Sequence, residues 1–330
     1  MSATTMKAWQ FTDPSHGLEL KTVAIPEPGP NQVLVQVKAA GLCHTDYNVI
    51  SGLDTTFMFK RPITLGHELA GIVTKTGSSV TTLAAGDGVV AVIAAKRPFK
   101  LHDAASMPGL GYDGGFGEYV ILEEHKALRI PQGISFADAA VATDAVGTAY
   151  HAVFTAGQVK PQHKVAIVGL GGLGLCAAQL AASVIGAEVH AIDLDSKRFA
   201  TALGFGVKRC AKSFAGLPGK RFDVILDFAG AGVTTSDAVT SIEQGGTIVL
   251  VGLGKKECTL NTFEFVLRNV VLKGATGASP DEIKACMDLI AAGKFKTTNE
   301  EIPFDGIAAG IDRLVEGGAT ARLWADPSRS

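Results

Sequence analysis

The sequence predicts a protein of the α/β class in two parts, a β-rich first half and a second half with a doubly wound parallel sheet. Two observations support this prediction. Residues 1 to about 146 hold short apolar or alternating runs punctuated by Gly and Pro, whereas compact apolar strands alternate with Ala-rich helical segments from about residue 147. The length of 330 residues also exceeds the roughly 100–200 residues of a typical domain.

Local patterns predict the individual elements. The first-half strands are NQVLVQVKAAG, AGIVTKTG and GDGVVAVI. The second-half strands are HKVAIVGL, EVHAIDL, FDVILDFAG, GGTIVLVGL and VVLKGATGAS, and its helices include GGLGLCAAQLAASVIG and SKRFATALGFG. Strands that alternate with helices pair in parallel under helices on both faces. After a further helix, PDEIKACMDLIAAGKF, a C-terminal piece is expected to pack on the first part. We therefore expect one domain at residues 1–146 and 284–330 and the other at 147–283.

Composition excludes several classes of function. Thirty basic and thirty-two acidic residues give a net charge of −2 without a Lys/Arg run, which argues against a nucleic-acid partner. The N-terminus lacks a signal-peptide layout, and no apolar run approaches the ~20 residues that span a bilayer, so we expect a cytoplasmic protein without membrane association. The five cysteines are scattered and never in a CxxC spacing, which disfavours a disulfide framework or a four-cysteine zinc site.

The turn GLGGLG is a candidate dinucleotide-binding motif. It follows an apolar strand and opens a helix, which distinguishes it from the generic tight turn that glycines also serve. The candidate pyrophosphate contacts are Gly169, Gly171, Gly172, Leu173 and Gly174. Asp193 ends the second strand, where a carboxylate can accept both ribose hydroxyls and repel a 2′-phosphate, although Asp195 is a nearby competitor for this role. The pattern therefore favours NAD over NADP.

The stretch LGHELAGIV places His67 beside Glu68 in an apolar segment, where both side chains need partners. Candidate partners are Cys43 and His44 in GLCHTDYN and Asp144 in VATDAVGTAYHA. Thiolate, imidazole and carboxylate with one open position are typical of a catalytic zinc site. A hydrogen-bonded core histidine and a packed cysteine remain the alternative interpretation.

Taken together, these residues resemble a known family. GLCHTD, GHELAGIV, GSSVTTLAAGDGVV, GGFGEYV and GLGGLG resemble, in this order, the zinc-containing alcohol dehydrogenases of the medium-chain dehydrogenase/reductase superfamily. The resemblance covers nearly the whole chain. It implies a GroES-like β-rich catalytic domain with an inserted Rossmann NAD-binding domain, and a homodimer or homotetramer formed through the Rossmann domain.

The resemblance also implies roles for residues at the metal site. Cys43 and His67 match zinc ligands, and Glu68 matches the neighbouring carboxylate that can enter the coordination shell. Asp144 falls where many members have a third cysteine, and the secondary-alcohol branch has an aspartate there. Thr45 matches the hydroxyl residue that hydrogen-bonds the substrate alcohol.

Further roles implied by the resemblance concern the surroundings of the metal and the cofactor. Asp46 resembles the carboxylate that orients the ligand histidine. His44 matches a pyrophosphate contact, Arg198 a basic residue that supports the adenosine ribose, and Arg322 an arginine that contacts the metal region and the cofactor phosphates.

The chain departs from the family at two places. The loop that normally carries four cysteines for a structural zinc is AAKRPFKLHDAASMPGLGYDGG, which has none, so we expect one zinc per subunit. The proton-relay histidine of many members falls at Asn48, which cannot titrate near neutral pH, so the proton must leave through water or another group. Ile93 stands where several members have an aromatic pocket wall; Phe57, Met107 and Leu110 are further wall candidates, although ordinary core packing explains each of them as well.

The predicted function is zinc-dependent hydride transfer between NAD(H) and an alcohol or the matching aldehyde or ketone, with Cys43, Thr45, His67 and Asp144 at the reaction centre. The wall residues suggest a medium or bulky primary or secondary alcohol. Two alternatives remain at this point. One is a zinc-free enone reductase of the same superfamily, and the other is a dinucleotide-binding protein without catalysis.

Overall fold

The chain folds into two compact units in a computed structural model that describes residues 4–53, 60–93, 100–217, 219, 221–319 and 321–329. Unit 1 comprises Met1–Asp144 and Ser279–Ser330, and unit 2 comprises Ala145–Ala278. The unit borders thus follow Asp144 and Ala278, whereas the sequence predicts borders after residues 146 and 283. The wall candidate Phe57 lies outside the described residues.

Strands are numbered in chain order. They are β1 (Thr5–Phe11), β2 (Leu18–Ala24), β3 (Gln32–Gly41), β4 (Ile63–Thr64), β5 (Glu68–Thr76), β6 (Gly88–Ala91), β7 (Tyr119–Glu123), β8 (Ala127–Arg129), β9 (Lys164–Val168), β10 (Glu188–Ile192), β11 (Arg209–Ala211), β12 (Phe222–Asp227), β13 (Ile242–Leu250), β14 (Val271–Gly274), β15 (Asn299–Ile302) and β16 (Arg322–Ala325).

The helices are also numbered in chain order. They are α1 (His44–Ile50), α2 (Phe136–Val141), α3 (Gly147–Tyr150), α4 (Gly172–Gln179), α5 (Phe199–Gly204), α6 (Val233–Ser241), α7 (Thr262–Leu267), α8 (Pro280–Ala291) and α9 (Ile307–Val315). Segments of π-helix cover Ala142–Val146, His151–Ala156 and Leu180–Ile185. Short 3₁₀ helices cover Leu101–Ser106, Glu124–Lys126, Ser196–Arg198, Phe214–Gly216, Phe304–Gly306 and Pro327–Arg329.

Unit 1 is built around β3, which pairs antiparallel with β5, β7 and β16. Its larger sheet has the order β15-β16-β3-β5-β6-β8, with β7 also on β3, and a smaller sheet has the order β2-β1-β4. Alternate residues of β3, Val33, Val35 and Val37, are fully buried in an apolar core that also contains Phe11, as the alternation predicts. Because β16 comes from the C-terminus, the C-terminal piece completes this sheet, as predicted.

A lysine holds the part of unit 1 that corresponds to the family's four-cysteine loop. The described part of this loop begins at residue 100 and forms the 3₁₀ helix Leu101–Ser106. Lys126 is buried, and its ammonium group donates to both the carbonyl oxygen and the hydroxyl of Ser106. Burial lowers the pKa of Lys126, and the nearby Glu123 and Asp103 counteract this effect. A charge-assisted hydrogen bond therefore ties this segment to the body of the unit.

Unit 2 contains a six-stranded parallel sheet in the order β11-β10-β9-β12-β13-β14. Numbered within the unit, this order is 3-2-1-4-5-6, which is typical of dinucleotide-binding sheets. The strands are all parallel, but the sequence order in which they are added to the sheet reverses between β9 and β12. The central strands are apolar and almost fully buried, as expected of a parallel sheet with both faces covered. The predicted α/β class and all five predicted strands are therefore found.

Two second-half elements differ from the sequence prediction. The predicted helix over 171–186 begins as α4 but ends in the π segment Leu180–Ile185. Strand β13 begins at Ile242 rather than at Gly245, and its pairing with β12 shifts register between Phe222 and Val224. In the described part of the chain, none of the helices is long and apolar enough to cross a membrane.

Candidate metal centre and dinucleotide site

Cys43 lies where β3 ends and α1 begins. It is the N-cap residue of α1, and its backbone N–H donates to Asp46 Oδ2 at 3.0 Å. Its side chain is 7% exposed, so the thiol faces the interior at a helix N-terminus. A cysteine binds a metal through its sulfur as the thiolate.

Asp46 also fixes His67. Its Oδ1 lies 3.2 Å from Nδ1 of His67, and both residues are buried. When Nδ1 carries the proton that this bond requires, Nε2 has the free lone pair for a metal. Asp46 therefore links Cys43 and His67 in one geometry, which agrees with the role that the resemblance implies for it.

The electrostatics around His67 favour a positive charge. Burial alone would lower the pKa of His67, but the Asp46 carboxylate and the Cys43 side chain raise it well above its ordinary value. The negative charge beside His67 thus outweighs the effect of its burial. This is the field that a divalent cation requires.

Glu68 opens β5 and is completely buried. Gly41 on β3 makes room for its side chain, and Gly71 on β5 makes room for the backbone of β3. A Cβ at Gly41 would stand 2.5 Å from Glu68 Oε2, and a Cβ at Gly71 would stand 2.1 Å from the Gln36 carbonyl oxygen on the neighbouring β3. The glycines around Glu68 are therefore explained by close approach of backbone and side chain.

Asp144 is presented by an irregular helix. The chain leaves α2 at Val141 and forms the π segment Ala142–Val146, in which the Thr143 hydroxyl donates to the Ala140 carbonyl oxygen at 2.7 Å. A π segment shifts the direction of the following side chains and is common at functional sites. Asp144 Oδ2 lies 3.4 Å from Cys43 Sγ and 4.0 Å from His67 Nε2.

Arg322, the first residue of β16, pairs with two of these carboxylates. Its Nε donates to Glu68 Oε2 at 3.0 Å, its Nη2 contacts Glu68 Oε1, and Nη2 also donates to Asp144 Oδ2 at 3.1 Å. Its side chain is only 5% exposed. The guanidinium thus compensates the negative charge of the two carboxylates, which would otherwise be buried without a counter-charge.

Together, Cys43, His67, Glu68 and Asp144 offer ligand atoms that all lie within 4.8 Å of one another. Ligands of a tetrahedral zinc ion are separated by roughly 3.5 Å, so the spacing of Cys43, His67 and Asp144 requires only small side-chain movements. One thiolate, one imidazole and carboxylate oxygens form a donor set that suits zinc. Arg322 contacts both carboxylate oxygens of Glu68 and Oδ2 of Asp144, so Cys43, His67 and Asp144 are the more accessible candidate ligands, and three ligands would leave a fourth position open.

The remaining site predictions near the metal cluster fall on or beside α1. Thr45 is half-buried, and its Oγ1 lies 3.6 Å from Cys43 Sγ. Asn48 is half-buried and His44 is exposed.

The three described wall candidates, Ile93, Met107 and Leu110, are buried in the apolar core of unit 1. Core packing therefore accounts for each of them.

The GLGGLG turn connects β9 to α4 at the point where the strand order reverses. Gly169 has a φ of +86°, and a Cβ at Gly174 would stand 1.7 Å from the Gly169 carbonyl oxygen, so both positions require glycine. A Cβ at Gly171 would meet only Arg198 Nη1, at 3.4 Å. The turn thus leaves room for a phosphate beside the N-terminus of α4.

Asp193 is held in place next to this turn. Its Oδ2 accepts from the Leu170 N–H at 2.5 Å, and its Oδ1 accepts from the Asp195 N–H at 2.8 Å. A carboxylate has about four acceptor positions, so two remain for ribose hydroxyls. Arg198 Nε lies 3.7 Å from Asp195 Oδ2, which directs Asp195 towards an ion pair and leaves Asp193 as the ribose candidate.

A buried thiolate-imidazole-carboxylate cluster in one unit and a glycine turn at the switch point of a Rossmann sheet in the other define a class of protein. They are the parts of a metal-dependent, dinucleotide-linked dehydrogenase.

Comparison with known proteins identifies the family. The chain matches the models of the alcohol dehydrogenase GroES-like domain over residues 29–132 and of the zinc-binding dehydrogenase over residues 172–292. It is 31% identical to an alcohol dehydrogenase of Geobacillus stearothermophilus over 331 aligned residues, 95% of this chain and 96% of that protein. The chain belongs to the zinc-containing alcohol dehydrogenase family of the medium-chain dehydrogenase/reductase superfamily, and the family prediction is confirmed.

Solved structures agree with this fold over the whole chain. Acetophenone reductase from Geotrichum candidum in complex with NAD has 29% identity and a TM-score of 0.89 over 100% of this chain and 99% of that chain. A cobalt- and zinc-bound thermostable alcohol dehydrogenase from Pyrobaculum aerophilum has 26% identity and a TM-score of 0.86 over 98% of this chain and 100% of that chain. The predicted GroES-like and Rossmann folds are confirmed.

Proposed function

We propose that this chain is an NAD-dependent alcohol dehydrogenase that transfers hydride between NAD(H) and a small-molecule alcohol, aldehyde or ketone, with one zinc ion per subunit. The observation that carries the proposal is the set of Cys43, His67, Glu68 and Asp144, with ligand atoms within 4.8 Å of one another. The family membership, the NAD bound to acetophenone reductase and the zinc of the Pyrobaculum enzyme support the two cofactors.

Each residue of the metal site has a distinct task in this proposal. Cys43, His67 and Asp144 hold the ion, which when bound supplies a Lewis acid for the substrate oxygen. Asp46 keeps the His67 proton on Nδ1, and Arg322 balances the charges of Glu68 and Asp144. Glu68 would be a further carboxylate within reach of the same ion.

Thr45 is the proposed acceptor of the alcohol proton. Its hydroxyl lies beside Cys43 and is half-buried, so it can accept the alcohol proton and pass it to water. Asn48 can orient that water but cannot titrate. Proton release therefore depends on solvent rather than on a relay histidine at position 48.

The proposed NAD site is in unit 2. The GLGGLG turn and the N-terminus of α4 receive the pyrophosphate, and Asp193 accepts the adenosine ribose hydroxyls. The Asp193 carboxylate repels a 2′-phosphate, which favours NAD over NADP. His44, Arg198 and Arg322 are the candidate basic contacts of the cofactor. The exposed thiol of Cys258 supports a reducing, cytoplasmic location.

Metal removal and restoration test the proposal. We expect freshly purified protein to contain one zinc per chain by elemental analysis, and dialysis against a strong chelator to abolish NAD-linked alcohol oxidation. Added zinc should restore it, because a site built from side-chain ligands reloads when its fold is intact. Tryptophan fluorescence and circular dichroism of the stripped protein serve as controls for folding.

The outcomes separate the proposal from both alternatives. Activity on an enone that survives complete metal removal would instead identify a zinc-free reductase. Tight NADH binding without turnover of any alcohol, aldehyde or enone would identify a dinucleotide-binding protein without catalysis.

We further propose that the protein forms a homodimer through the β14 edge of the unit 2 sheet. In the described residues no strand pairs with the outer side of β14. Exposed apolar side chains cluster in sequence around this edge: Phe263 and Val266 are each 70% exposed, Leu267 58% and Val271 47%. The other edge, β11, is only three residues long and begins with Arg209, which blunts it against pairing. A twofold axis at β14 would continue the sheet and cover these side chains.

A double substitution of this surface is expected to dissociate the oligomer. Phe263→Asp with Val266→Asp would place two charges on the exposed side of α7, and burial of unpaired charges at an interface is strongly unfavourable. Light scattering after size exclusion should report the monomer mass. Leu203→Asp, at a 48% exposed position on α5, is the control and should leave the mass unchanged. An unchanged mass for the double variant would contradict this interface.

A further inference from the structure

The carboxylate of Asp227 is completely buried at the carboxyl end of β12. Its Oδ1 accepts from the N–H groups of Ala229 (3.1 Å) and Gly230 (2.9 Å), and its Oδ2 accepts from the hydroxyls of Thr234 (2.9 Å) and Thr235 (2.8 Å). Its main-chain oxygen accepts from the N–H groups of residues 251 and 252. Asp227 thus forms hydrogen bonds with both the loop after β12 and the loop after β13.

These loops stack backbone against backbone with the GLGGLG turn. A Cβ at Gly169 would stand 2.9 Å from the Ala229 nitrogen, and a Cβ at Gly230 would stand 1.9 Å from the Gly252 carbonyl oxygen. The turns after β9, β12 and β13 therefore meet without side chains between them. A small displacement of the loop after β12 would therefore also displace the backbone of the glycine turn.

The place of this loop in the sheet indicates which half of a dinucleotide it faces. β9 has β10 on one side and β12 on the other, and ligands of such sheets lie across the crevice where the order reverses. Asp193, the ribose candidate, ends the β10 side. The β12 side is therefore left for the nicotinamide half.

We propose that Asp227 is a positioning residue for cofactor binding: it fixes the wall formed by residues 228–232, against which the nicotinamide half of NAD lies. This inference rests on the proposed function, because it presupposes a bound dinucleotide. Asp227 acts through the loop and not by contact, since all of its usual acceptor positions are taken by protein donors. Such a buried carboxylate defines one loop conformation, because each donor would lose a charge-assisted bond in another.

Two ligands test the proposal by direct binding. NADH contains the nicotinamide ring, whereas ADP-ribose has the same two riboses and two phosphates but lacks the ring, so the pair reports on contacts of the ring with the wall. Asp227→Asn retains the side-chain volume but presents an NH₂ group to one pair of donors. We expect the Kd of NADH to rise about tenfold, the equivalent of one or two lost hydrogen bonds, while the Kd of ADP-ribose stays within about twofold of that of the wild type.

Asp223→Asn is the matched control. Asp223 lies on the same strand at the opposite end, and its carboxylate likewise accepts a backbone N–H, that of Lys164 at 2.7 Å. The Asp223→Asn substitution should leave the Kd values of both ligands unchanged, although it removes a carboxylate acceptor from β12 just as Asp227→Asn does. If Asp227→Asn does not fold, Thr235→Val removes a single donor at the same carboxylate and should weaken NADH selectively, whereas Thr235→Ser should retain wild-type binding.

The results also separate the two proposals. A wild-type protein that binds neither NADH nor ADP-ribose would refute the proposed function itself. If the wild type binds both ligands and Asp227→Asn, or Thr235→Val in its place, weakens both equally or neither, the loop is not the nicotinamide wall and the inference is overturned. Selective loss of NADH with rescue by Thr235→Ser would support it.

Discussion

Replacing Cys43 with alanine is expected to eliminate zinc binding and to lower kcat/KM for NAD-linked alcohol oxidation by about a thousandfold or more. The thiolate is the softest of the candidate ligands, and its loss leaves His67 and Asp144 as the remaining ligands of the proposed set. Lewis-acid stabilisation amounts to several kcal/mol, and each 1.36 kcal/mol is tenfold in rate. Elemental analysis and steady-state kinetics provide the measurements.

Cobalt substitution adds a readout that is independent of turnover. The wild-type protein loaded with Co²⁺ should show thiolate-to-metal charge-transfer absorption, and the Cys43→Ala variant should not. Cys286→Ala is the control, because Cys286 is equally buried but belongs to α8 and not to the ligand cluster. A Cys43→Ala protein that retained a full equivalent of zinc and normal turnover would contradict the proposed ligand set.

Replacing Arg322 with methionine is expected to lower the free energy of unfolding of the metal-free protein by about 3 kcal/mol. The change leaves the buried Glu68 and Asp144 carboxylates without the guanidinium that contacts both. Excess zinc should recover part of the loss, because the dication replaces the missing positive charge. Urea titration followed by tryptophan fluorescence reports on unit 1, since both tryptophans, Trp9 and Trp324, lie there.

Arg313→Met is the matched control for this measurement. Arg313 forms a two-pronged ion pair with Glu300 at 2.7 and 2.6 Å, but both side chains are more than one-third exposed. An exposed pair contributes little because water and salt screen it. If both variants lost the same stability, or if zinc did not stabilise Arg322→Met more than the wild type, Arg322 would not have the electrostatic role proposed here.

The sequence predicts the chemistry of the metal site better than its geometry. The motifs around Cys43 and His67 are local, and their residue types identify the ligands directly. Residue patterns alone identify Asp144 only as an acidic residue in an apolar context, and its place among the ligands is predicted by the resemblance. The π segment that presents it has no periodicity of its own, because one extra residue in a helical turn leaves the surrounding apolar pattern almost unchanged.

Long-range pairing is the other part that the sequence could not predict. Arg322 is 254 residues from Glu68 and 178 from Asp144, so no spacing rule connects them. The resemblance predicted that Arg322 contacts this region, but not that it bridges two carboxylates. Similarly, the glycine turn predicts the pyrophosphate site, whereas the four donors around Asp227 become visible only when the loop after β12 is folded.

Lys126 holds the 3₁₀ helix Leu101–Ser106 by hydrogen bonds, so this contact does not depend on a metal ion. Where the resemblance implies a four-cysteine zinc loop, this chain has Lys126 donating to Ser106. An ammonium group can be neither chelated nor oxidised to a disulfide. Chelators and oxidants therefore have no thiolate to act on at this contact, and we expect the bonds from Lys126 to Ser106 to persist when the metal of the ligand cluster is removed or exchanged for cobalt.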